Sequence, residues 1–205
     1  MWSRSTRQLG QGRRCGLTAP RSGYGQIMST PNDLVGPGLS HLVLNVRDLD
    51  ASHAFYTEVL GFTQCGVLDE GNTVGRMQFY RGDPSHHHHI ALVQTRDPAE
   101  PASRWSMIRT TVGINHIALN YGSGEAFLAR VRHIVDLGVE IMQRGNHGMT
   151  HSAYVQDPDG NGIEVLYDVP AEAWEGDVNA ALNFWEGLPL TGDGVLEDST
   201  DYTRF

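Results

Sequence analysis

Residues 113–141 read GINHIALNYGSGEAFLARVRHIVDLGVEI, and residues 38–62 read GLSHLVLNVRDLDASHAFYTEVLGF. The two stretches follow one plan. Each opens on glycine and runs into a short alternating strand with a histidine in the same place, His116 in one and His41 in the other. Each then offers a helix N-cap, Ser123 or Asp48, followed by apolar residues at helical spacing. Phe127, Leu128, Val131 and Ile134 mark one apolar face, and Phe55, Tyr56, Val59 and Leu60 mark the other. Gly138 and Gly61 stop the two helices, where a residue that tolerates positive φ is favoured.

Three strand-like runs follow each helix, over roughly 62–68, 73–81 and 87–94 in the first copy and 139–143, 150–156 and 162–168 in the second. The last runs correspond, HHIALVQ (88–94) with NGIEVLYD (161–168). Aligning Ile90 with Ile163 sets Ala91 at the position of Glu164. The spacing from His41 to Ala91 is 50 residues and from His116 to Glu164 it is 48, so the offset between copies is about 75 throughout. This predicts an α+β fold of two tandem βαβββ modules, 38–95 and 112–168, joined by a linker at 96–111. The expected arrangement is one curved mixed sheet around a cleft. His41, Val43 and Asn45 would line one wall, and His116, Ala118 and Asn120 the other.

The composition narrows the function classes. The chain has 205 residues and a formal charge of −9, enough for one domain with a full core. An acidic chain without a basic stripe disfavours nucleic acid, and no window approaches the length of a membrane span. With no lysine present, Schiff-base chemistry on lysine is excluded. Cys15 and Cys65 have no metal spacing, which disfavours a disulfide framework and makes a reducing, cytoplasmic setting the expectation. Residues 1–37 are rich in Arg, Ser, Gly and Gln and lack periodicity. Gly10, Gly12, Gly16 and Pro20 interrupt any amphipathic stripe, so a disordered or over-annotated extension is expected rather than a transit peptide. Residues 169–205 form an acidic tail expected to pack on the domain through Trp174, Leu182, Phe184 and Trp185. There it would cover the cleft, build an oligomer contact or shield a sheet edge.

Paired βαβββ modules with candidate ligands on their first and last strands resemble the vicinal oxygen chelate superfamily, the glyoxalase/bleomycin-resistance-like fold. The resemblance covers about 38–168, and DPDGNGIEVLYD (157–168) is its most specific piece. Glyoxalase-type relatives use a fourth ligand from the last strand of the first module, where this chain has Ala91. The resemblance then implies His41, His116 and Glu164 as metal ligands in the cleft. Two histidines and one carboxylate with open positions suit Fe(II), or Mn(II). Glu164 lies among Ile163, Val165 and Leu166, where an unpartnered carboxylate would be costly to bury.

The site is most similar to type I extradiol ring-cleavage dioxygenases (catechol 2,3-dioxygenase-like, in their small two-module form). Their His-His-x-Ile/Leu-Ala pattern reads here as His87-His88-His89-Ile90-Ala91, which carries the acid–base role to His88. His89 is the second candidate, because strand parity puts it on the face of Ala91. The family's tyrosine ten residues before the metal carboxylate is Tyr154, and the His-Gly pair ahead of it is His147-Gly148, with His151 as competitor. His53 and His133 fall on helix surfaces. The resemblance implies a catechol-type vicinal diol and O2 as substrates, with a histidine that accepts and then returns a proton. It also implies a homo-oligomer. The alternative is a glyoxalase-type metal-dependent lyase or isomerase on the same fold. An intact ligand set argues against a metal-free binding protein.

Overall fold

The computed structural model describes residues 38–68, 71, 73, 75–95, 103–108 and 112–205. The extension at 1–37 and most of the linker lie outside the described residues.

The first module runs β1 (Leu42–Val46), α1 (Leu49–Ala54) relaxing into a π-helical turn over Phe55–Val59, β2 (Thr63–Val67), β3 (Met77–Arg81) and β4 (Ile90–Gln94). The second runs β5 (His116–Asn120), α2 (Gly124–Asp136), β6 (Gln143–Asn146), β7 (Thr150–Gln156) and β8 (Gly162–Asp168). The tail adds α3 (Val178–Leu182) and β9 (Glu186–Gly187). Both helices begin as their sequences require. Asp48 accepts from the backbone of Asp50 and Ala51, and Ser123 from that of Ala126.

The strands form two mixed sheets, β1-β4-β3-β2 and β5-β8-β7-β6-β9, one per module, where a single curved sheet was expected. The first and last strands of each module pair in parallel. Val43 lies beside Ala91 and Ala118 beside Glu164, so Ala91 does occupy the position equivalent to Glu164. β6 starts later than the apolar run at 139–143 suggests. The Gly138 N–H donates to the Val135 carbonyl and the Val139 N–H to Ile134, a Schellman closure of α2 that takes both residues out of the ladder. Likewise β4 begins at Ile90, and His86–His89 belong to the β3–β4 loop.

The two modules share one core, built from the helix-bearing sides of both sheets. Leu44, Val46, Tyr56 and Leu92 join Ile117, Phe127, Val131, Ile163 and Val165 in it. Backbone carbonyls at the end of the first helix are taken by the second module. Tyr121 Oη donates to the Leu60 carbonyl at 2.8 Å and Arg130 Nη1 to that of Val59 at 2.9 Å. Gly61, at φ 81°, is needed here twice, because a Cβ would also meet the Arg130 guanidinium at 2.2 Å. At the other end Arg47 pairs with Asp159 at 2.9 Å, and Tyr56 Oη donates to Asp157 at 3.0 Å. Because the modules join through these sides, the faces expected to line the cleft stay open in one chain. Val43, Asn45, Ala118 and Asn120 are all exposed. Among the described residues no helix is long and apolar enough to cross a membrane.

Asp157 ties the β7–β8 turn to the first helix. Its carboxylate is buried and accepts from Tyr56 Oη, Asn161 Nδ2 and the backbone N–H groups of Asp159 and Asn161. Burial pushes its pKa up, and the donors from Asn161 and Tyr56 pull it back. Tyr56→Phe should therefore cost about 1–3 kcal/mol of stability, read as a lower urea midpoint. A folded carboxylate short of one donor has a higher pKa than before. The deficit should thus be largest at neutral pH and shrink on acidification as Asp157 takes up its proton.

Candidate metal centre

Alternation along β8 sends Ile163 and Val165 into the core and Glu164 to the opposite face. Glu164 is only 6% exposed there. His116 opens the neighbouring strand β5, and its Nε2 stands 3.1 Å from Glu164 Oε2. The tautomer follows from the next shell. Asn115 Nδ2 donates to the Met107 carbonyl at 2.8 Å, which turns its Oδ1 toward His116 Nδ1 at 2.9 Å. Nδ1 then carries the hydrogen, and Nε2 presents a lone pair to a carboxylate oxygen. With the ring neutral, two acceptors that close have room for a cation between them. Donors about 2.1 Å from one ion and at right angles to each other lie about 3 Å apart, so the pair fits two adjacent ligands of a divalent metal.

Tyr154 lies opposite Glu164 on β7 and donates from Oη to Glu164 Oε1 at 2.5 Å. The same hydroxyl stands 2.9 Å from His147 Nε2, which reaches it from the β6–β7 turn. Burial, reinforced by the Glu164 carboxylate, holds the Tyr154 pKa far above that of an ordinary phenol, so it stays a neutral hydroxyl. Burial lowers the pKa of His147, against the pull of Glu164. His151, the competitor, sits on the other side of the sheet, with Nδ1 2.7 Å from Asp198.

Two tryptophans that the sequence reading did not assign to the site frame this cluster. Trp105 stacks on Tyr154 with ring centroids 5.3 Å apart and planes 9° from parallel, and its indole N–H donates to the Asn115 carbonyl at 2.7 Å. It lies on Gly162, where a Cβ would meet Nε1 at 2.0 Å. Trp185 reaches from the tail to within 4.7 Å of His147, ring centroid to centroid. A large aromatic in an otherwise polar linker was the available signal for Trp105. Asn115, beside His116, carried none.

The first-module residues gather separately. His41 is exposed just before β1, with the His88 ring 4.4 Å away, and His88 in turn lies 5.1 Å from Phe79. His89 turns the other way. Its Nδ1 accepts from the Gly82 N–H at 3.2 Å, and it lines a groove of about 650 Å³ with Phe62, Asp83, Ala118 and Asn120. Strand parity thus fails at the loop, and of the two acid–base candidates His88 is the one beside His41. Burial first, then His41 and His87, lowers the His88 pKa. His53 and His133 serve packing, meeting Tyr80 Oη at 3.0 Å and the Glu58 carbonyl at 2.7 Å.

The structure therefore brings His116 and Glu164 together and leaves His41 with His88. Among the described residues no three His, Cys, Asp or Glu side chains converge as they would around one ion. The cause is the shared core, which joins the modules by their helix-bearing sides rather than by the faces that carry these side chains.

The profile of the Glyoxalase/Bleomycin resistance protein/Dioxygenase superfamily matches residues 38–165. Biphenyl-2,3-diol 1,2-dioxygenase 3 of Rhodococcus globerulus is 31% identical over 134 residues, 65% of this chain and 65% of that protein, so the chain spans just under two thirds of that relative. A lactoylglutathione lyase of Pseudomonas putida is 25% identical over 157 residues, 64% of this chain and 85% of that protein. A solved glyoxylase/bleomycin resistance protein/dioxygenase domain from Frankia sp. EAN1pec shares the fold at a TM-score of 0.52 and 18% identity, covering 65% of this chain and 99% of that one.

The Trp105–Gly162 contact is open to a direct test. Gly162→Ala should push the indole off Tyr154, cost about 1–3 kcal/mol through overpacking, and weaken the near-ultraviolet circular dichroism of the stacked pair.

Proposed function

We propose, for a chain that belongs to the Glyoxalase/Bleomycin resistance protein/Dioxygenase superfamily, an Fe(II)-dependent extradiol dioxygenase that cleaves the ring of a catechol-type vicinal diol with O2. The observation that carries this reading is the half-site His116–Glu164–Tyr154–His147, set against alanine at the position equivalent to Glu164 in the first module. A fourth protein ligand from Ala91 is excluded by its side chain. His116, Glu164 and His41 would hold the metal, Fe(II) or in its place Mn(II). When bound, the metal supplies adjacent open positions for two substrates and a route for charge between them.

The third ligand comes from a second copy of the chain. One copy presents His116 and Glu164 on the open face of its second sheet. Another presents His41 and His88 on the exposed side of its first module. A two-fold pairing of these faces completes two sites at once, and the ligand chemistry of each half is what the other lacks.

The remaining roles belong to side chains. Tyr154 Oη donates its hydrogen to Glu164 and is reached by His147, and as a neutral hydroxyl it keeps a lone pair that can accept from a diol O–H. His147 backs that hydroxyl and keeps a hydrogen on Nε2. His88, beside His41, accepts a proton from the diol and returns it to the oxygen atom that departs when the O–O bond breaks, both atoms of O2 ending in the product. His89 points into the groove on the other side and is the lesser candidate. The likeness to a lactoylglutathione lyase keeps a glyoxalase-type lyase or isomerase as the second reading, against which Ala91 counts.

The protein is loaded with Fe(II) without air, then given air and a panel of catechols. Oxygen uptake with a coloured ring-opened product is expected; no uptake with any diol, together with turnover of a hemithioacetal, would overturn the reading in favour of the lyase. His88→Phe should keep iron and lose turnover, and loss of iron instead would reassign His88 as a ligand. Sharing of the site has its own test. His41→Ala and Glu164→Ala proteins should each bind no tight iron. After mixing and exchange of copies, about a quarter of the wild-type sites should return, since random pairing leaves one intact site in each mixed dimer. Mixtures that hold no more iron than either parent would refute a shared site.

A further inference from the structure

The tail closes around the turn that carries His147. Each residue from Asn146 to Met149 meets it. Asn146 pairs with Glu186 of β9, and the His147 ring lies 4.7 Å from the Trp185 indole, centroid to centroid. Gly148, at φ 76°, leaves no room for a Cβ. One there would stand 2.8 Å from Phe205 Cε2, 3.1 Å from Phe205 Cζ and 3.0 Å from the Ala181 carbonyl oxygen. The Met149 carbonyl accepts from the Val169 N–H at 2.8 Å. Phe205 is itself fixed. Its N–H donates to the Ala173 carbonyl at 2.9 Å, and its ring meets that of Phe184 at 5.3 Å between centroids.

The turn has bonds of its own, from the His147 N–H to the Thr150 carbonyl at 2.9 Å and from the Gly148 N–H to Asn146 Oδ1 at 2.7 Å. They close the backbone and do not aim the imidazole. Its aim matters, because the bond to Tyr154 has a fixed sense. Tyr154 gives its hydrogen to Glu164, so His147 Nε2 must be the donor to Tyr154 Oη across their 2.9 Å. A directional bond made from a glycine turn needs that turn held, since glycine has the widest choice of backbone conformations. Phe205 and Ala181 meet the turn at Gly148, one residue from the imidazole. Both lie beyond the superfamily match, which ends at residue 165.

We infer that Phe205 is a positioning residue, whose ring edge braces Gly148 and so holds the His147 imidazole as donor to the Tyr154 hydroxyl. The effect on turnover rests on the dioxygenase reading; the brace rests on the tail alone.

The test observes the imidazole nitrogens of the metal-free, full-length protein by nitrogen-edited NMR, with His147 assigned by its absence from the spectrum of His147→Gln. Iron binding and cleavage of catechols in air are measured separately. The wild-type protein should show His147 as one tautomer with its hydrogen on Nε2. In Phe205→Ala the two tautomers should average. Iron affinity should stay within about twofold while kcat falls about tenfold or more and KM changes less. Phe205→Met, whose unbranched chain reaches as far as the ring edge, should keep the single tautomer and most of the turnover. If Phe205→Ala does not fold, Phe205→Leu keeps apolar volume without the atoms that meet Gly148 and should show the same loss. A single Nε2–H tautomer in folded Phe205→Ala or Phe205→Leu, or averaged tautomers in the wild-type protein, overturns the brace. So does a variant whose tautomers average at unchanged kcat, or one that loses iron along with turnover, which would make the contact merely structural. Averaging in the variants, with no diol cleaved even by the wild-type protein, would sink the dioxygenase reading while supporting the brace. One tautomer throughout, with cleavage intact, would do the reverse.

Discussion

A carboxylate in the middle of an apolar strand governs the second module. Ile163 and Val165 on either side of Glu164 are fully buried, so β8 must run through the core, and Glu164 must face the other way. There it is still almost covered, and an ionised carboxylate so placed is stable only with donors and positive charge about it. Tyr154 supplies the donor and His116 the adjacent nitrogen, itself turned by Asn115. Trp105 and Gly162 then fix Tyr154, because the indole can stack on the phenol only where position 162 has no side chain. The cluster is thus a chain of requirements that begins at one residue.

The same alternation explains why His41 stands apart from His116 and Glu164 within one chain. Both sheets bury their helix-bearing sides in a common core, and the bonds from Tyr121, Arg130 and Tyr56 lock the modules in that relation. Period-two geometry then leaves His41 on one open face and the His116–Glu164 pair on another. A duplicated unit gives equivalent positions within each module. It does not decide whether the equivalent faces meet in one chain or between two.

That distinction marks the limit of what could be read from the sequence. The repeat, the helix caps at Asp48 and Ser123, the glycine stops, and the equivalence of Ala91 and Glu164 are local or periodic features, and the structure has them where the pattern puts them. The start of β6 was misplaced because a Schellman closure consumes N–H groups that an apolar run would otherwise offer to a strand. Parity misled at His88 and His89 because the loop is not yet pleated there. Module-to-module packing depends on side chains far apart in sequence, such as Arg47 with Asp159, and no local signal announces it. Trp105 was hidden for a similar reason, and Trp185 was legible only as one of the tail's packing residues. Each acts through a glycine more than 35 residues away, Gly162 or Gly145, and only the folded sheet brings the pairs together.

The anchoring of the tail fixes where Trp185 lies. Arg144 is buried on the core side of β6 and reaches the carbonyls of Gly194 and Glu197, while Asp198 accepts from Tyr167 and pairs with His151. Burying such charges carries a desolvation cost, so the network adds less to stability than its bonds suggest. What it supplies is direction, since the planar guanidinium binds its two carbonyls in one geometry. Beyond this clamp the Leu188 N–H donates to the Arg144 carbonyl, and β9 continues the ladder toward Trp185. The residue that holds the tail on one side of β6 therefore sets, through its own backbone, where the indole lies on the other.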